Sequence, residues 1–322
     1  MKILLIQLRR IGDVVFTLPV AQALRKFYPA AQIDFLVEPP SDQLLNFCDD
    51  ISHILKYDKK NHWFWMRKIY ASHYDAVLDF HANGRALWLT LASQSKRRIG
   101  FEGAFNRKLI YTETVPHDPK KFIVDDKLLL VQKLTGNPEP ILWNWNLKLP
   151  QEILKNSIFP EHSKMVGLLA VHRHSIRSWE QNSWIKLAQK FLDNHYNVLW
   201  LGGPSEGKIL QHLNENFANH PRAKTIEAKN LLELSALIQK CDVLVANDNG
   251  PQKIAMALNR PTVTIFGPTN PVTINPRNAL HIALRDESLP CIGCEKSVCP
   301  TQHECMQNIS VEQVYEKTIK FL

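Results

Sequence analysis

The chain has 322 residues, more than one hydrophobic core comfortably takes, so two domains are expected. Its 39 Lys and Arg against 31 Asp and Glu leave a net charge of +8, which suits an anionic partner: a nucleotide, an acidic glycolipid, an anionic membrane face or nucleic acid. No run of about 18 apolar residues is present to span a membrane, and the opening residues pass from a short strand into charge without a signal-peptide cleavage site, so the cytoplasm is the expected compartment.

Residues 2–8 (KILLIQL) read as a strand buried in a parallel sheet, residues 9–13 as its loop, and residues 14–27 as a helix. Asp13 leaves the first strand just after Gly12. It suits either a helix N-cap or a general base on an acceptor hydroxyl. Strands follow at 33–37, 51–57 and 76–79, with a helix around 63–70, and polar residues with a glycine at 79–85. A basic segment with a strand spans 96–101, and a helix at 125–134 closes the first half. Strand and helix alternate throughout, the pattern of a doubly wound sheet.

Four prolines at 138, 140, 150 and 160 mark a linker, and the boundary is set near residue 155. A second α/β series opens at 166–171. It continues through a helix at 184–195, a strand at 197–201, a Gly202-Gly203-Pro204 turn and a helix from Glu206. His172-Arg173-His174-Ser175-Ile176-Arg177 puts cations on a strand end, where arginine forks suit a diphosphate; a solvated basic loop is the bland alternative. Trp179 and Trp184 read as packing residues.

Residues 243–271 (VLVANDNGPQKIAMALNRPTVTIFGPTNP) carry the strongest local signal. An apolar strand stops at Asn247-Asp248-Asn249-Gly250, Pro251 opens a helix, and a β-branched strand ends at Gly267. Such a turn aims free N–H groups at an anion above the strand ends. No G-x-G-x-x-G or Walker element is present, which disfavours nicotinamide and ATPase chemistry. After residue 269 the chain reads as irregular up to a last helix at 311–322.

Cys48 and Cys241 read as buried small residues. Cys291, Cys294, Cys299 and Cys305 form a cluster whose spacing allows structural zinc or an iron–sulfur cluster, or unmetallated thiols. Two α/β halves imply a cleft, with ligands beyond the C-terminal strand ends.

Residues 2–29 (KILLIQLRRIGDVVFTLPVAQALRKFYP) and 245–271, with the cysteine-bearing CIGCEKSVCPTQHECM at 291–306, resemble the bacterial ADP-heptose:lipopolysaccharide heptosyltransferases, glycosyltransferase family 9. The resemblance covers the chain end to end. It implies a glycosyltransferase-B fold, α/β with two Rossmann-like doubly wound domains facing a cleft: 1–155 for the acceptor, 156–310 for the nucleotide sugar, and a helix at 311–322 crossing back to the first. It further implies inverting transfer of L-glycero-D-manno-heptose from ADP-heptose to the lipopolysaccharide inner core, without an essential metal.

Asp13 falls on the position of the catalytic base, Arg177 where a donor-phosphate Lys is usual, and Glu206 near a nucleoside contact. Asp248, Asn249 and Gly250 fall on the Asp-Ser/Thr-Gly that holds donor phosphates and heptose. Asn249 replaces the usual Ser or Thr, Lys253 a usual His, and Glu180 a common proline; Asn still donates a hydrogen bond and Lys still meets phosphate. From charge, Arg9, Arg10, Arg85, Arg97 and Arg98 are expected to meet the phosphorylated acceptor. The expected partners are thus a nucleotide sugar, a core glycolipid and, peripherally, the cytoplasmic face of the inner membrane. Nucleic acid is not expected, because no recognition-helix motif is present. The alternatives are a glycosyltransferase of the same fold with another nucleotide sugar, and a catalytically silent binding homologue.

Overall fold

A computed structural model describes the chain except residues 104, 146, 151–152, 154–156, 160–162, 172–174 and 204–205, and the side chains of 105, 106 and 214. The chain divides into two compact units, Met1–Lys148 and Leu149–Leu322. The division falls a few residues before the expected boundary, which itself lies outside the described residues.

Unit 1 runs β1 (Lys2–Ile6), α1 (Ile11–Val15), α2 (Leu18–Phe27), β2 (Gln32–Val37), α3 (Asp42–Leu45), β3 (His53–Lys56), α4 (His62–Ala71), β4 (Ala76–Asp79), α5 (Gly84–Ala92), β5 (Arg97–Phe101), α6 (Phe105–Ile110), β6 (Glu113–Val115) and α7 (Ile123–Thr135). Its six strands are parallel in the order β3-β2-β1-β4-β5-β6. The central strands are apolar on both faces, since helices cover both. Crossovers reverse direction between β1 and β4, which sends α2 and α7 to one face of the sheet and α4 and α5 to the other. The helix expected over 14–27 is split at Thr17, and Pro19 sits in the first turn of α2, where its missing N–H costs nothing.

Unit 2 runs β7 (Met165–Leu169), α8 (Gln181–Asp193), β8 (Asn197–Gly202), α9 (Gly207–Phe217), β9 (Ala223–Glu227), α10 (Leu231–Lys240), β10 (Val243–Asn247), α11 (Gly250–Ala257), β11 (Thr262–Ile265), β12 (His281–Leu284), α12 (Glu304–Gln307) and α13 (Val311–Thr318). Its sheet, β12-β11-β10-β7-β8-β9, repeats the doubly wound order of unit 1. Trp184, Phe191, Trp200 and Val245 anchor its core. Trp179 and Trp184 pack edge to face with centroids 5.2 Å apart, and Cys48 and Cys241 are buried.

Three strands have no counterpart in the sequence reading: β6, β9 and β12. All are sheet edges and only partly buried, so none carries the continuous apolar run by which the central strands are read. The last helix, α13, packs on α8 and β11 of its own unit. Val314 is fully buried, and the Tyr315 ring lies 5.1 Å from that of Phe191. A Ser310–Gln313 capping box fixes where α13 starts.

Candidate active site

In each unit the crossover direction reverses between two neighbouring strands, and the loops beyond their C-terminal ends form the natural place for a ligand. In unit 2 these strands are β7 and β10. Asn247, fully buried at the end of β10, accepts a hydrogen bond from the Trp179 amide (3.1 Å) and donates to the Ala170 carbonyl (3.0 Å). One side chain thereby fastens the loop after β7 to the turn after β10.

Asp248 follows, buried, with one carboxylate oxygen 2.9 Å from Lys253 Nζ and the other 3.5 Å from Arg177. Burial opposes its charge, but Lys253, then Thr269 and Arg177, outweigh burial and hold the carboxyl below the ordinary carboxylate range. Lys253 lies one helical turn along α11, so the pair is built by local geometry. Asn249 caps α11: its Oδ1 accepts from the Gln252 amide (3.0 Å) and its Nδ2 donates to the Val171 carbonyl (3.3 Å). Gly250 opens the helix.

Arg177, Asp248, Asn249, Gly250 and Lys253 converge on this turn, with a division of labour invisible in sequence. Lys253 is turned to Asp248 beneath the turn, whereas Arg177 stays partly open, its second nitrogen 3.8 Å from Glu295. Glu206 heads α9 on the neighbouring loop and accepts from the Gly203 amide at 2.8 Å. A Cβ on Gly202 would lie 2.9 Å from that carboxylate and 2.8 Å from Leu210, so a larger residue would have to push both side chains aside. Residues 172–174, and 204–205 in the glycine turn, lie outside the described residues.

The cysteine-bearing segment braces this site. Gly293 and Glu295 donate backbone hydrogen bonds to the Gly267 and Pro268 carbonyls (3.2 and 2.7 Å), and Glu295 accepts from the Asn270 amide (2.9 Å). A Cβ on Gly267 would meet Met306 and Cys305 at 2.6 and 2.8 Å, which explains the glycine. Among the described residues, no group of three or more His, Cys, Asp and Glu is arranged to hold a metal ion. Cys291, Cys294, Cys299 and Cys305 are free thiols of unequal setting: Cys291 is exposed, and Cys305 is buried and pushed up to about 11 by burial and the neighbouring cysteines.

In unit 1 the reversal lies between β1 and β4. Asp13 sits half-buried in the first turn of α1, without capping it. Arg9 and Arg10 are exposed beside it, and Arg10 holds a left-handed backbone (φ 67°) that turns the chain into α1. Arg85, at the same edge, pairs with Glu38 at 2.8 Å.

Arg97 and Arg98 do not join them, which corrects the acceptor assignment. They enter β5 at the opposite end of the sheet. Arg97 grips Glu113 in a two-pronged pair (2.8 and 2.9 Å) and donates to the Leu134 and Lys133 carbonyls. Arg98 donates to the Ile110 and Ser95 carbonyls, both at 2.6 Å. Both fasten unit 1 together.

Sequence reading missed Lys127. It is buried on α7, and its ammonium donates to Gln7 Oε1 (3.0 Å), the Asp13 carbonyl (2.9 Å) and Thr17 Oγ1 (2.7 Å). It thus ties the end of β1, the helix carrying Asp13 and the start of α2 to one point. Burial lowers it to about 8, with Asp13 and Asp126 resisting. An ammonium can only donate, so Gln7 presents its oxygen to Lys127 and its NH2 to His81 Nδ1 (3.1 Å). His81 therefore carries its proton on Nε2. Burial, Arg9, Lys127, Arg85 and Arg10 hold it neutral by lowering it to about 4. The only signal for Lys127 is a Lys on the apolar face of a helix.

A profile of glycosyltransferase family 9 (heptosyltransferase) matches residues 63–304. The lipopolysaccharide core heptosyltransferase OpsX of Haemophilus influenzae is 25% identical over 288 residues, 86% of this chain and 82% of that protein. The crystal structure of a family 9 glycosyltransferase from Veillonella parvula superposes with a TM-score of 0.83 at 22% identity, covering 99% of this chain and 96% of that one. Escherichia coli heptosyltransferase WaaC with ADP-2-deoxy-2-fluoro heptose gives 0.78 at 18% identity, covering 98% of each chain. With both sheets doubly wound and the profile spanning most of the sequence, the chain belongs to glycosyltransferase family 9, the heptosyltransferases, and is a glycosyltransferase.

Proposed function

We propose that this enzyme transfers L-glycero-D-manno-heptose from ADP-heptose to a lipopolysaccharide inner-core acceptor, with inversion at the anomeric carbon. The observation that carries this is the turn after β10. Asn247 locks it, Asn249 caps it, and Arg177 stands partly open above a buried Asp248–Lys253 pair, an arrangement suited to a sugar diphosphate. The relatives whose names state lipopolysaccharide heptose transfer supply the donor and acceptor classes.

In the proposed reaction Asp13 takes the proton of an acceptor hydroxyl as its oxygen attacks the anomeric carbon. The bond to the diphosphate oxygen breaks on the opposite face, and ADP leaves with the electron pair. Arg177 and the N-terminus of α11 stabilise the charge gathering on the leaving diphosphate. Lys253 acts at one remove, by keeping Asp248 ionised and in place. Arg9, Arg10 and Arg85 meet the anionic acceptor core. Because that acceptor is a lipid, the enzyme works at the cytoplasmic face of a membrane that it contacts peripherally; among the described residues, no helix is long and apolar enough to cross one.

Calorimetry with ADP, UDP, GDP and CMP tests the donor assignment. ADP is expected to bind selectively, and Arg177→Ala to weaken it about tenfold or more, the worth of a charge-assisted hydrogen bond. Preference for another nucleotide would overturn the donor, and no nucleotide binding would overturn the reaction.

A further inference from the structure

We propose that the outward faces of α4 and α5 form a docking surface for an anionic lipid bilayer. The proposal deepens the reading above, in which the acceptor is a lipid, by naming the face that meets the membrane.

The two helices lie side by side on one face of the first sheet. α4 packs through Trp65 and Ile69, which are buried, yet it turns three further aromatic rings outward. Trp63 is 75% exposed, Phe64 59% and Tyr70 51%. α5 does the same: Ala86, Leu87 and Leu89 face inward, while Trp88 is 56% and Leu91 37% exposed. Packing accounts for the inward residues and leaves five large apolar side chains in water. Apolar side chains gathered on one face in this way mark an interaction surface.

Charge identifies the partner. Residues 59–74 contain Lys59, Lys60, Arg67 and Lys68 and no Asp or Glu. Arg67 lies four residues after Trp63 and three after Phe64, so cation and rings share one stripe of the helix. Lys68 Nζ stands 4.9 Å from the centroid of the Trp65 ring. Aromatic rings interleaved with cations on one helical face match a bilayer interface: rings settle at the headgroup boundary, and cations reach lipid phosphates. A second copy of this chain fits poorly, because a symmetric contact would bring the same cations together with no acid on these helices to offset them.

The placement also suits the chemistry. α5 begins directly after the loop carrying His81 and holds Arg85 in its first turn, at the sheet edge that holds Asp13. A bilayer beneath α4 and α5 therefore lies alongside the loops proposed to receive a lipid-anchored acceptor.

The test is co-sedimentation with phosphatidylglycerol-containing vesicles and with phosphatidylcholine-only vesicles. The proteins compared are wild type, the double variant Trp63→Ser/Phe64→Ser, and the double variant Lys59→Glu/Lys60→Glu. Wild type is expected to pellet with the anionic vesicles and far less with the neutral ones. The aromatic variant should lose about tenfold or more in partitioning. The charge variant should lose severalfold, with a weaker dependence on salt.

Equal partitioning of all three proteins, or no partitioning of wild type, would overturn the proposal. So would conversion of a wild-type dimer to monomer by the aromatic variant with vesicle binding unchanged. If the aromatic variant fails to melt cooperatively, the charge variant, altered only on an exposed turn, decides. ADP binding measured on the same proteins separates the two readings: lost vesicle binding with ADP binding intact is expected of the variants, and a wild type that binds vesicles but no nucleotide would leave this surface standing while the transferase reaction fell.

Discussion

Unit 1 contains two Arg-Arg pairs, and their fates differ. Arg9 and Arg10 leave the C-terminal end of β1 and remain exposed beside Asp13. Arg97 and Arg98 enter the N-terminal end of β5 and give their N–H groups to Glu113 and to backbone carbonyls. In a doubly wound sheet, the end of the strand on which a charge falls decides whether it serves a ligand or the fold. Unit 2 shows the same division around one carboxylate, where Lys253 is committed to Asp248 and Arg177 stays partly open.

The contrast predicts that substituting an open charge lowers activity at constant stability, and substituting a committed one does the reverse. The largest effect is expected at Asp13. Asp13→Asn should lower kcat about 10²- to 10⁴-fold, the usual worth of a general base, without moving the melting temperature. A melting shift in its place would make Asp13 a structural residue.

Next comes Asp248→Ala, which removes the carboxylate that faces the buried Lys253 ammonium at 2.9 Å. It should cost about 3–5 kcal/mol in chemical denaturation. Because the Asp248 carboxyl is held below its ordinary 3.8, the folded state binds fewer protons than the unfolded state near that pH. Its stabilisation is therefore complete above pH 3.8 and is lost as the pH falls through the lower folded value. Wild type and the milder Asp248→Asn should accordingly converge in acid.

The arginine pairs sharpen the comparison directly. Arg97→Ala should cost about 2 kcal/mol, allowing for the partial exposure of its pair with Glu113, and leave acceptor KM unchanged. Arg9→Ala/Arg10→Ala should raise acceptor KM severalfold, more at low salt, with no change in melting. The smallest effect concerns pH. Raising the pH through about 8 removes the Lys127 charge and one of its three donated hydrogen bonds, which loosens the point that holds the helix carrying Asp13, so kcat/KM should fall along that limb. Lys127→Met should begin lower and lack the limb.

What could be read from sequence followed distance along the chain. The turn at 247–250 is local: Asn, Asp, Gly and Pro specify strand end, cap and helix start within five residues, and it forms as read. The central strands announce themselves by unbroken apolar runs, whereas the edges β6, β9 and β12 bury too little to do so. Lys127 lies 114 residues from the Asp13 carbonyl that it holds, and only the packing of α7 against α2 brings them together. The cysteine-bearing segment acts on the site through backbone hydrogen bonds to the Gly267 loop and the Glu295 carboxylate, neither of which has a spacing signature. Arg97 and Arg98 were misassigned because charge is visible in sequence and strand polarity relative to a site is not.

The most direct test of the central claim is a transfer assay with ADP-heptose and a heptose-deficient lipopolysaccharide core, read as ADP release together with the mass of the acceptor. The acceptor is expected to gain one heptose for each ADP released, and Asp13→Asn to slow both about 10²- to 10⁴-fold while still binding ADP. Transfer undiminished in Asp13→Asn, or ADP-heptose left unbound by a folded wild-type protein, would contradict that claim.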